Sequence, residues 1–198
     1  MIFECMKCNI DITDEEFNSI YPEQVRKLAN RHFTPIAIAK RAAAFLAQSP
    51  GEKILDIGSG TGKFCMVGSV STNGHFTGVE QREYLYHLSN SILRYHHLPN
   101  VKFIHSNITK IKFTDYNAFY FFNSFHENVD RTAMLDSTVD AGLELYTLYT
   151  QYVNDQLSQM PYGTRLATYW SGAREVPAEY RILSTDYGGK LIFWKKLK

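Results

Sequence analysis

The chain has 198 residues and a formal net charge of +1, with 44% hydrophobic and 21% charged residues. This length and composition are typical of one soluble globular domain with a substantial core. The small net charge excludes a chain-wide basic field for nucleic acid, and no apolar run approaches the roughly 20 residues that a membrane helix needs.

The cysteines are few and unevenly placed. Cys5, Cys8 and Cys65 are the three thiols, and acidic residues stand near the N-terminus where a secretory signal would carry bases. An odd number of cysteines without such a signal predicts reduced thiols and a cytoplasmic location. Cys5 and Cys8 form a lone C-x-x-C pair, and the nearest histidine, His32, is distant in sequence. A zinc site needs more ligands, so we favour simple thiols over zinc and expect no metal.

The first 50 residues predict a helical lead-in that packs on the core. Asp14 is a candidate N-cap and Pro22 a candidate helix start. Thr34 is a candidate N-cap and Pro35 a candidate first helical residue, and apolar residues then recur at helical spacing, which predicts a helix over 35–48. We expect residues 51–198 to form the main domain.

Strands and helices then alternate. Short apolar runs at 53–57, 75–80, 101–105 and 118–122 predict strands, and the segments 63–71 and 82–97 predict helices. We expect the second of these helices to bury one face, made of Tyr84, Leu85, Leu88, Ile92 and Tyr95. Strands separated by helix-length segments indicate parallel βαβ units.

The C-terminal part changes character. Residues 129–160 predict two helices, or one with a bend near Gly142, and a strand follows at 165–170. Alternating segments at 179–184 and 190–196, joined by a turn at 186–189, predict an antiparallel hairpin. Aromatic residues in this part are predicted to belong to the core rather than to roof a pocket: Tyr146, Tyr149, Tyr152 and Trp170.

The most informative segment is ILDIGSGTG, residues 54–62. A buried strand ends here in an acid, Asp56, and three alternating glycines (Gly58, Gly60 and Gly62) let the chain turn sharply beneath a ligand. A helix from about Lys63 would aim its free N–H groups at that ligand. The segment resembles the first motif of the class I S-adenosylmethionine-dependent methyltransferases. The resemblance implies an α/β fold, with a doubly wound, seven-stranded, mostly parallel sheet that ends in an antiparallel hairpin.

The resemblance also implies roles for residues at the carboxyl ends of the first three strands. Asp56 would face the methionine amino group of the cofactor, with Ser59 in the loop beside it. Glu80 ends the second strand, where a carboxylate can accept both ribose hydroxyl protons. Gln81 would flank the adenine.

Asn107 stands where the family often has an acid that accepts a hydrogen bond from the adenine amino group. The side-chain carbonyl of Asn107 can still accept that hydrogen bond. Ile108 would offer a backbone N–H to the ring. Thr34, in Phe-Thr-Pro, resembles a segment that closes over the methionine end of the cofactor, although an ordinary helix start explains it as well.

A nicotinamide-binding fold is the alternative for a glycine-rich loop followed by an acid. That fold spaces its glycines G-x-G-x-x-G, whereas here they alternate. The acid before the loop and the terminal hairpin also favour the methyltransferase.

The fourth strand ends in FFNSFHENVD, residues 121–130. Asn123 is the candidate for orienting a nucleophile, and His126 is a candidate general base, although a solvated loop also explains His126. This segment and Gly78-Val79-Glu80 are similar to the histone lysine methyltransferases that lack a SET domain. No basic tail for nucleosomes accompanies them, so the histone is not carried over.

The sequence therefore predicts a cytoplasmic, S-adenosylmethionine-dependent methyltransferase. The acceptor is expected to be a small-molecule oxygen or nitrogen, or a protein side chain; the sequence carries no strong signal for nucleic acid, and no membrane is expected as partner. The alternative is a noncatalytic S-adenosylmethionine-binding regulatory module. An enzyme should have a cavity that opens beside Asn123, whereas a module should have that path filled.

Overall fold

The computed structural model describes residues 2–125, 128, 138–171 and 174–197. Its centre is a seven-stranded sheet in the order β3-β2-β1-β4-β5-β7-β6. The strands are β1 (Lys53–Ile57), β2 (His75–Glu80), β3 (Val101–His105), β4 (Ala118–Phe122), β5 (Arg165–Tyr169), β6 (Tyr180–Asp186) and β7 (Leu191–Lys196). Strands β1 to β5 pair in parallel, and β7 pairs antiparallel with both β5 and β6. The predicted fold class is confirmed.

The described helices precede and connect these strands. They are α1 (Ile2–Lys7), α2 (Asp14–Asn18), α3 (Glu23–Arg26), α4 (Ala29–His32), α5 (Ile36–Leu46), α6 (Lys63–Ser71), α7 (Glu83–His96) and α8 (Leu143–Ser158). Successive residues of a strand point to opposite faces of the sheet, so each strand feeds two hydrophobic clusters. Ile54 belongs to the cluster beneath α1, α2, α5 and α6, whereas Leu55 belongs to the cluster beneath α8.

The N-terminal helices do pack on the core, because Phe3, Phe17 and Val25 are buried. The division of the chain at residue 50 stays a prediction. The predicted N-cap was wrong by one residue: Thr13, not Asp14, caps α2, in a capping box with Glu16.

Thr34 is not a helix cap either. Helix α5 begins at Ile36, and its N-cap position is Pro35, which has no side-chain cap. The carboxylate of Asp14 instead accepts a hydrogen bond from the Ile36 backbone N–H at 3.0 Å. Asp14, which lies earlier in the chain, therefore satisfies the helix-start N–H that the local sequence assigned to Thr34.

The bounds of β1 to β4 agree with the prediction, β5 ends one residue earlier than predicted, and the larger differences lie elsewhere. Tyr84 and Tyr95 of α7 are 53% and 80% exposed, so the predicted apolar face of this helix is too wide. Trp170 is 55% exposed and does not belong to the core. Helix α8 begins only at Leu143, and residues 138–142 are not helical, while residues 129–137 of the predicted segment lie outside the described residues.

No helix among the described residues is long and apolar enough to cross a membrane.

Candidate cofactor and active site

The glycine loop between β1 and α6 turns through left-handed backbone. Gly58, Gly60 and Gly62 have φ values of 75°, 53° and 77°. A Cβ at Gly62 would lie 2.3 Å from the Phe103 ring, whereas a Cβ at Gly60 would meet nothing within 4 Å. The loop is thus packed tightly at its end and open at its middle, where a ligand can lie against the backbone.

Glu80 anchors this loop from the neighbouring strand. Its Oε2 accepts a hydrogen bond from the Gly60 N–H at 2.9 Å, and its Oε1 accepts one from the Arg82 N–H at 2.8 Å. The residue is only 6% exposed. Two backbone donors therefore fix the orientation of the carboxylate at the carboxyl end of β2, where open parallel sheets bind their ligands.

A cavity of about 320 Å³ lies over the carboxyl edge of the sheet. This volume is in the range of small-molecule sites, roughly 300–1,000 Å³. Six of the predicted site residues line it: Gly58, Gly60, Glu80, Gln81, Ile108 and Asn123. Phe122, Phe125 and Tyr149 form apolar walls near Asn123, so the cavity that Glu80 lines also opens beside Asn123.

A side chamber of about 30 Å³ adjoins the main cavity and shares Phe33 and Gly58 with it. Three further predicted residues line this chamber, namely Thr34, Asp56 and Ser59. Nine of the predicted site residues are therefore divided between two adjoining cavities.

Asp56 is buried in the chamber wall, with 4% exposure. Burial raises the pKa of its carboxyl to about 7, although a hydrogen bond from the Cys65 thiol at 3.5 Å opposes the shift. A cation placed beside Asp56 would favour the ionised form, so this carboxyl is suited to an ammonium group.

Thr34 reaches the same chamber from the N-terminal side. Its hydroxyl and the Tyr120 hydroxyl are 3.0 Å apart in a buried hydrogen bond. The Tyr120 ring stacks on Phe64, with centroids 3.8 Å apart. Thr34 therefore joins the segment before α5 to the centre of β4.

Two predicted residues lie away from the cavity wall. Gly62 packs beneath Phe103, as described above. Asn107 accepts hydrogen bonds at its side-chain carbonyl from the backbone N–H and hydroxyl of Thr109, at 3.0 and 2.9 Å. The oxygen expected to receive the adenine amino group thus caps a short turn instead, while the Asn107 amide donates to Tyr149 at 2.9 Å.

Asn123 lies just after β4 with a φ of 44°. Its backbone N–H donates to the Ser171 hydroxyl at 2.8 Å, which joins the ends of β4 and β5. His126, the other catalytic candidate, lies outside the described residues.

Sequence reasoning missed Lys63, a buried lysine that lines the side chamber. Burial lowers the pKa of its ammonium, and Asp14 opposes that shift through a salt bridge. The available signal was a basic residue immediately after the glycine loop, at the start of a helix. Among the described residues, no group of three or more His, Cys, Asp or Glu side chains is placed to hold a metal ion.

Known proteins share this architecture. The model of a methyltransferase domain family matches residues 48–143. No curated protein sequence matches the chain. The structure is similar to TrmN from Thermus thermophilus, at 17% identity over 87% of this chain and 52% of that one, with a TM-score of 0.58. The chain thus spans about half the length of TrmN.

Two further structures are similar over more of their own length. One is a SAM-dependent O-methyltransferase from Thermotoga maritima, with 17% identity, a TM-score of 0.57, and coverage of 89% of this chain and 72% of that one. The other is an RNA methyltransferase from Salinibacter ruber in complex with S-adenosyl-L-homocysteine, with 14% identity, a TM-score of 0.55, and coverage of 83% and 94%. At these identities the likeness shows the fold.

The family model covers residues 48–143, just under half of the chain, and the likeness to solved methyltransferases shows that the chain has their fold.

Proposed function

We propose that the chain is an enzyme that transfers the methyl group of S-adenosylmethionine to an amine or hydroxyl acceptor, with the residues around the two adjoining cavities as its active site. The observation that carries the proposal is the glycine loop, open at Gly60 and tied there to the oriented carboxylate of Glu80.

The residues present fit this cofactor. The open middle of the loop is a cradle that a side chain at Gly60 would fill. Glu80 would accept hydrogen bonds from the ribose hydroxyls, because an ionised carboxylate has about four acceptor directions. Gln81 and Ile108 would flank the adenine, and Asp56 would accept from the amino group, with Ser59 and Thr34 in the same chamber. When bound, S-adenosylmethionine supplies an electrophilic methyl group on a positively charged sulfur.

The protein's part at the reacting end is to position the acceptor and exclude water. Asn123 lies at the carboxyl end of β4, and its side-chain carbonyl can accept a hydrogen bond from an acceptor amine or hydroxyl. The rings of Phe122, Phe125 and Tyr149 wall this end of the cavity. Aromatic faces also favour a nearby cation, which suits a sulfonium. A general-base role for His126 stays a prediction.

The acceptor is proposed as a small-molecule nitrogen or oxygen, or a protein side chain. The similarity of residues 121–130 to the histone lysine methyltransferases that lack a SET domain is proposed for the branch of the fold and does not select the acceptor. Cys5, Cys8 and Cys65 are all unpaired, which supports the proposed cytoplasmic location.

A binding assay and a methyl-transfer assay test separate parts of this proposal. Calorimetric titration with S-adenosylhomocysteine and with NAD⁺ should show binding of the first and not of the second, and the reverse result would contradict the donor. Labelled S-adenosylmethionine added to cell extract separated into small-molecule and protein fractions should label one of them. Tight donor binding with no labelled fraction would favour the noncatalytic module.

A further inference from the structure

The side-chain amide of Asn107 has its orientation fixed by the backbone. Its carbonyl oxygen accepts a hydrogen bond from the Thr109 N–H at 3.0 Å, and a backbone N–H can only donate. The oxygen and the nitrogen of this amide therefore cannot be exchanged. Because the nitrogen is a donor only, each group that it contacts has to present an acceptor.

Two residues of the cavity wall supply those acceptors. The Asn107 Nδ2 donates to the Gln81 Oε1 at 3.3 Å and to the Tyr149 hydroxyl oxygen at 2.9 Å. Gln81 and Tyr149 both line the main cavity, one just after β2 and the other on α8, whereas Asn107 does not line it. One amide therefore orients two polar groups that face the ligand space.

The polar atoms that these two residues have left are donors. The Gln81 oxygen is engaged by Asn107, so its amide nitrogen is the group that remains. The Tyr149 hydroxyl accepts from Asn107, and its proton has no acceptor among the described residues. Tyr149 is only 6% exposed, so water has little access to that proton. A buried donor without an acceptor is costly, and a ligand that brings an acceptor removes the cost.

No carboxylate is free to balance these donors. Glu80 is the only acid that lines the cavity in the described part of the chain, and two backbone N–H groups hold it at the end of β2. The wall made by Gln81 and Tyr149 therefore suits a ligand edge that is rich in acceptors.

The two edges of a purine differ in how they meet a pair of donors. On the major-groove edge, adenine has the N7 acceptor and the 6-amino donor, whereas a 6-oxopurine has two acceptors, N7 and O6. On the Watson–Crick edge, adenine has the N1 acceptor beside its 6-amino donor, and hypoxanthine has the O6 acceptor beside an N1–H donor. Adenine thus gains one matched bond from either edge, and hypoxanthine gains one or two.

We propose that Tyr149 and Gln81 bind the purine of the methyl donor through its acceptor atoms, and that the site therefore takes a 6-oxopurine nucleoside as well as adenosine. The proposal rests on the proposed function, which places the adenine beside Gln81 and Ile108. Tyr149 and Gln81 touch the base and determine the specificity, and Asn107 is a positioning residue that acts through them.

The test on the wild type compares two ligands by calorimetric titration. S-inosylhomocysteine differs from S-adenosylhomocysteine in having an oxygen in place of the 6-amino group. We expect the inosyl compound to bind more tightly, or at most about fivefold more weakly, a factor that corresponds to one hydrogen bond. A larger preference for S-adenosylhomocysteine would overturn this proposal and leave the proposed function standing. A protein that binds neither compound would overturn both.

Asn107→Asp tests what sets the donor character of the wall. One carboxylate oxygen keeps the bond from the Thr109 N–H, and the other puts an acceptor where the amide nitrogen was. The Gln81 nitrogen and the Tyr149 proton then turn toward this carboxylate, so that oxygens face the purine. We expect this variant to prefer S-adenosylhomocysteine over S-inosylhomocysteine by about 10-fold or more. A ratio equal to that of the wild type would overturn the role of Asn107.

Asn117→Asp is the matched control for the added charge. The Asn117 side-chain oxygen likewise accepts a backbone N–H, from Lys53 at 2.9 Å, and this residue does not line the cavity. It should keep the wild-type ratio of the two affinities.

Tyr149→Phe removes the hydroxyl and keeps the ring. It should weaken the binding of both ligands by about 2- to 10-fold, as for one neutral hydrogen bond. Unchanged affinities would show that this hydroxyl does not meet the purine. The comparison of the two ligands on the wild type needs no variant, so it decides the proposal even where a variant fails to fold.

Discussion

The ribose assignment of Glu80 gives the sharpest prediction. Glu80→Gln keeps the shape of the side chain but removes its charge and replaces one acceptor oxygen with a donor. Hydrogen bonds to a charged group contribute about 1.5–3 kcal/mol each, so losing one weakens donor binding roughly 10- to 150-fold. The affected group is buried at 6% exposure, so water cannot readily take over the lost bond.

The size of the effect follows from ligand-linked stability. S-adenosylhomocysteine at about 1,000 times its Kd stabilises the wild type by about 4.1 kcal/mol, and a hundredfold loss of affinity lowers this to about 1.4 kcal/mol. For a chain of this size, 1 kcal/mol moves the Tm by roughly 2–4 °C, so a shift of about 8–16 °C should fall to about 3–6 °C.

Thermal unfolding with and without ligand measures this shift. Each variant is compared with its own ligand-free Tm, because Glu80→Gln also disturbs the bonds from Gly60 and Arg82. Glu83→Gln is the control, since that acid lies in the adjoining first turn of α7 and its side chain is 73% exposed. Equal ligand-induced shifts in Glu80→Gln and the wild type would refute the ribose assignment.

Three further predictions concern the chamber and the loop. Because the pKa of Asp56 is about 7, an ammonium ligand that favours its ionised form should bind with proton release. Affinity for S-adenosylhomocysteine should therefore rise from pH 6 to pH 8 in calorimetry, and Asp56→Asn should remove the trend attributable to this carboxyl. Gly62→Ala should lower the free energy of unfolding in urea by about 2–4 kcal/mol, because the added Cβ brings both left-handed strain and overpacking. Gly51→Ala should lower it by only about 1–2 kcal/mol, because it has the same strain but open space around the added Cβ. Thr34→Val should lower the free energy of unfolding by about 1–3 kcal/mol, because it leaves the buried Tyr120 hydroxyl without its hydrogen-bond partner.

Each of these has its own contradicting result. A flat pH profile in the wild type would show that Asp56 does not meet the ammonium. Equal losses of unfolding free energy in Gly62→Ala and Gly51→Ala would show that the close packing of Gly62 against Phe103 adds nothing to the cost of the substitution. An unchanged unfolding free energy for Thr34→Val would show that the Tyr120 hydroxyl is satisfied in another way.

The parallel half of the fold could be predicted from the sequence because its signals are local. A strand buried on both faces is continuously apolar, and the glycine loop fixes both the end of β1 and the start of α6. The structure accordingly begins α6 at Lys63, as predicted. The exposed rings of α7 show the limit of this reasoning, since helical periodicity alone does not set how wide the buried face is.

The details that failed depend on residues far apart in the chain. The N-cap expected of Thr34 is absent because Asp14 supplies the bond to α5, while the Thr34 hydroxyl bonds Tyr120, 86 positions away. Asn107 follows the predicted strand, but its side-chain carbonyl accepts a hydrogen bond from the Thr109 N–H within its own turn. Lys63 could have been noticed from its helix position. Its burial against α2 could not, because nothing in the sequence pairs it with Asn18.

The backbone conformation of Asn123 determines which substitutions can test the role of this residue in methyl transfer. Its left-handed backbone is tolerated by Asn, Asp and Gly, whereas alanine there adds about 1–2 kcal/mol of strain. An alanine variant would therefore shift the main chain and delete the amide at once. Asn123→Gly removes the side chain with the turn intact, and Asn123→Asp keeps its size but replaces the amide donor with a second acceptor oxygen and a negative charge. This pair separates the chemistry of the group from the geometry of the turn that presents it.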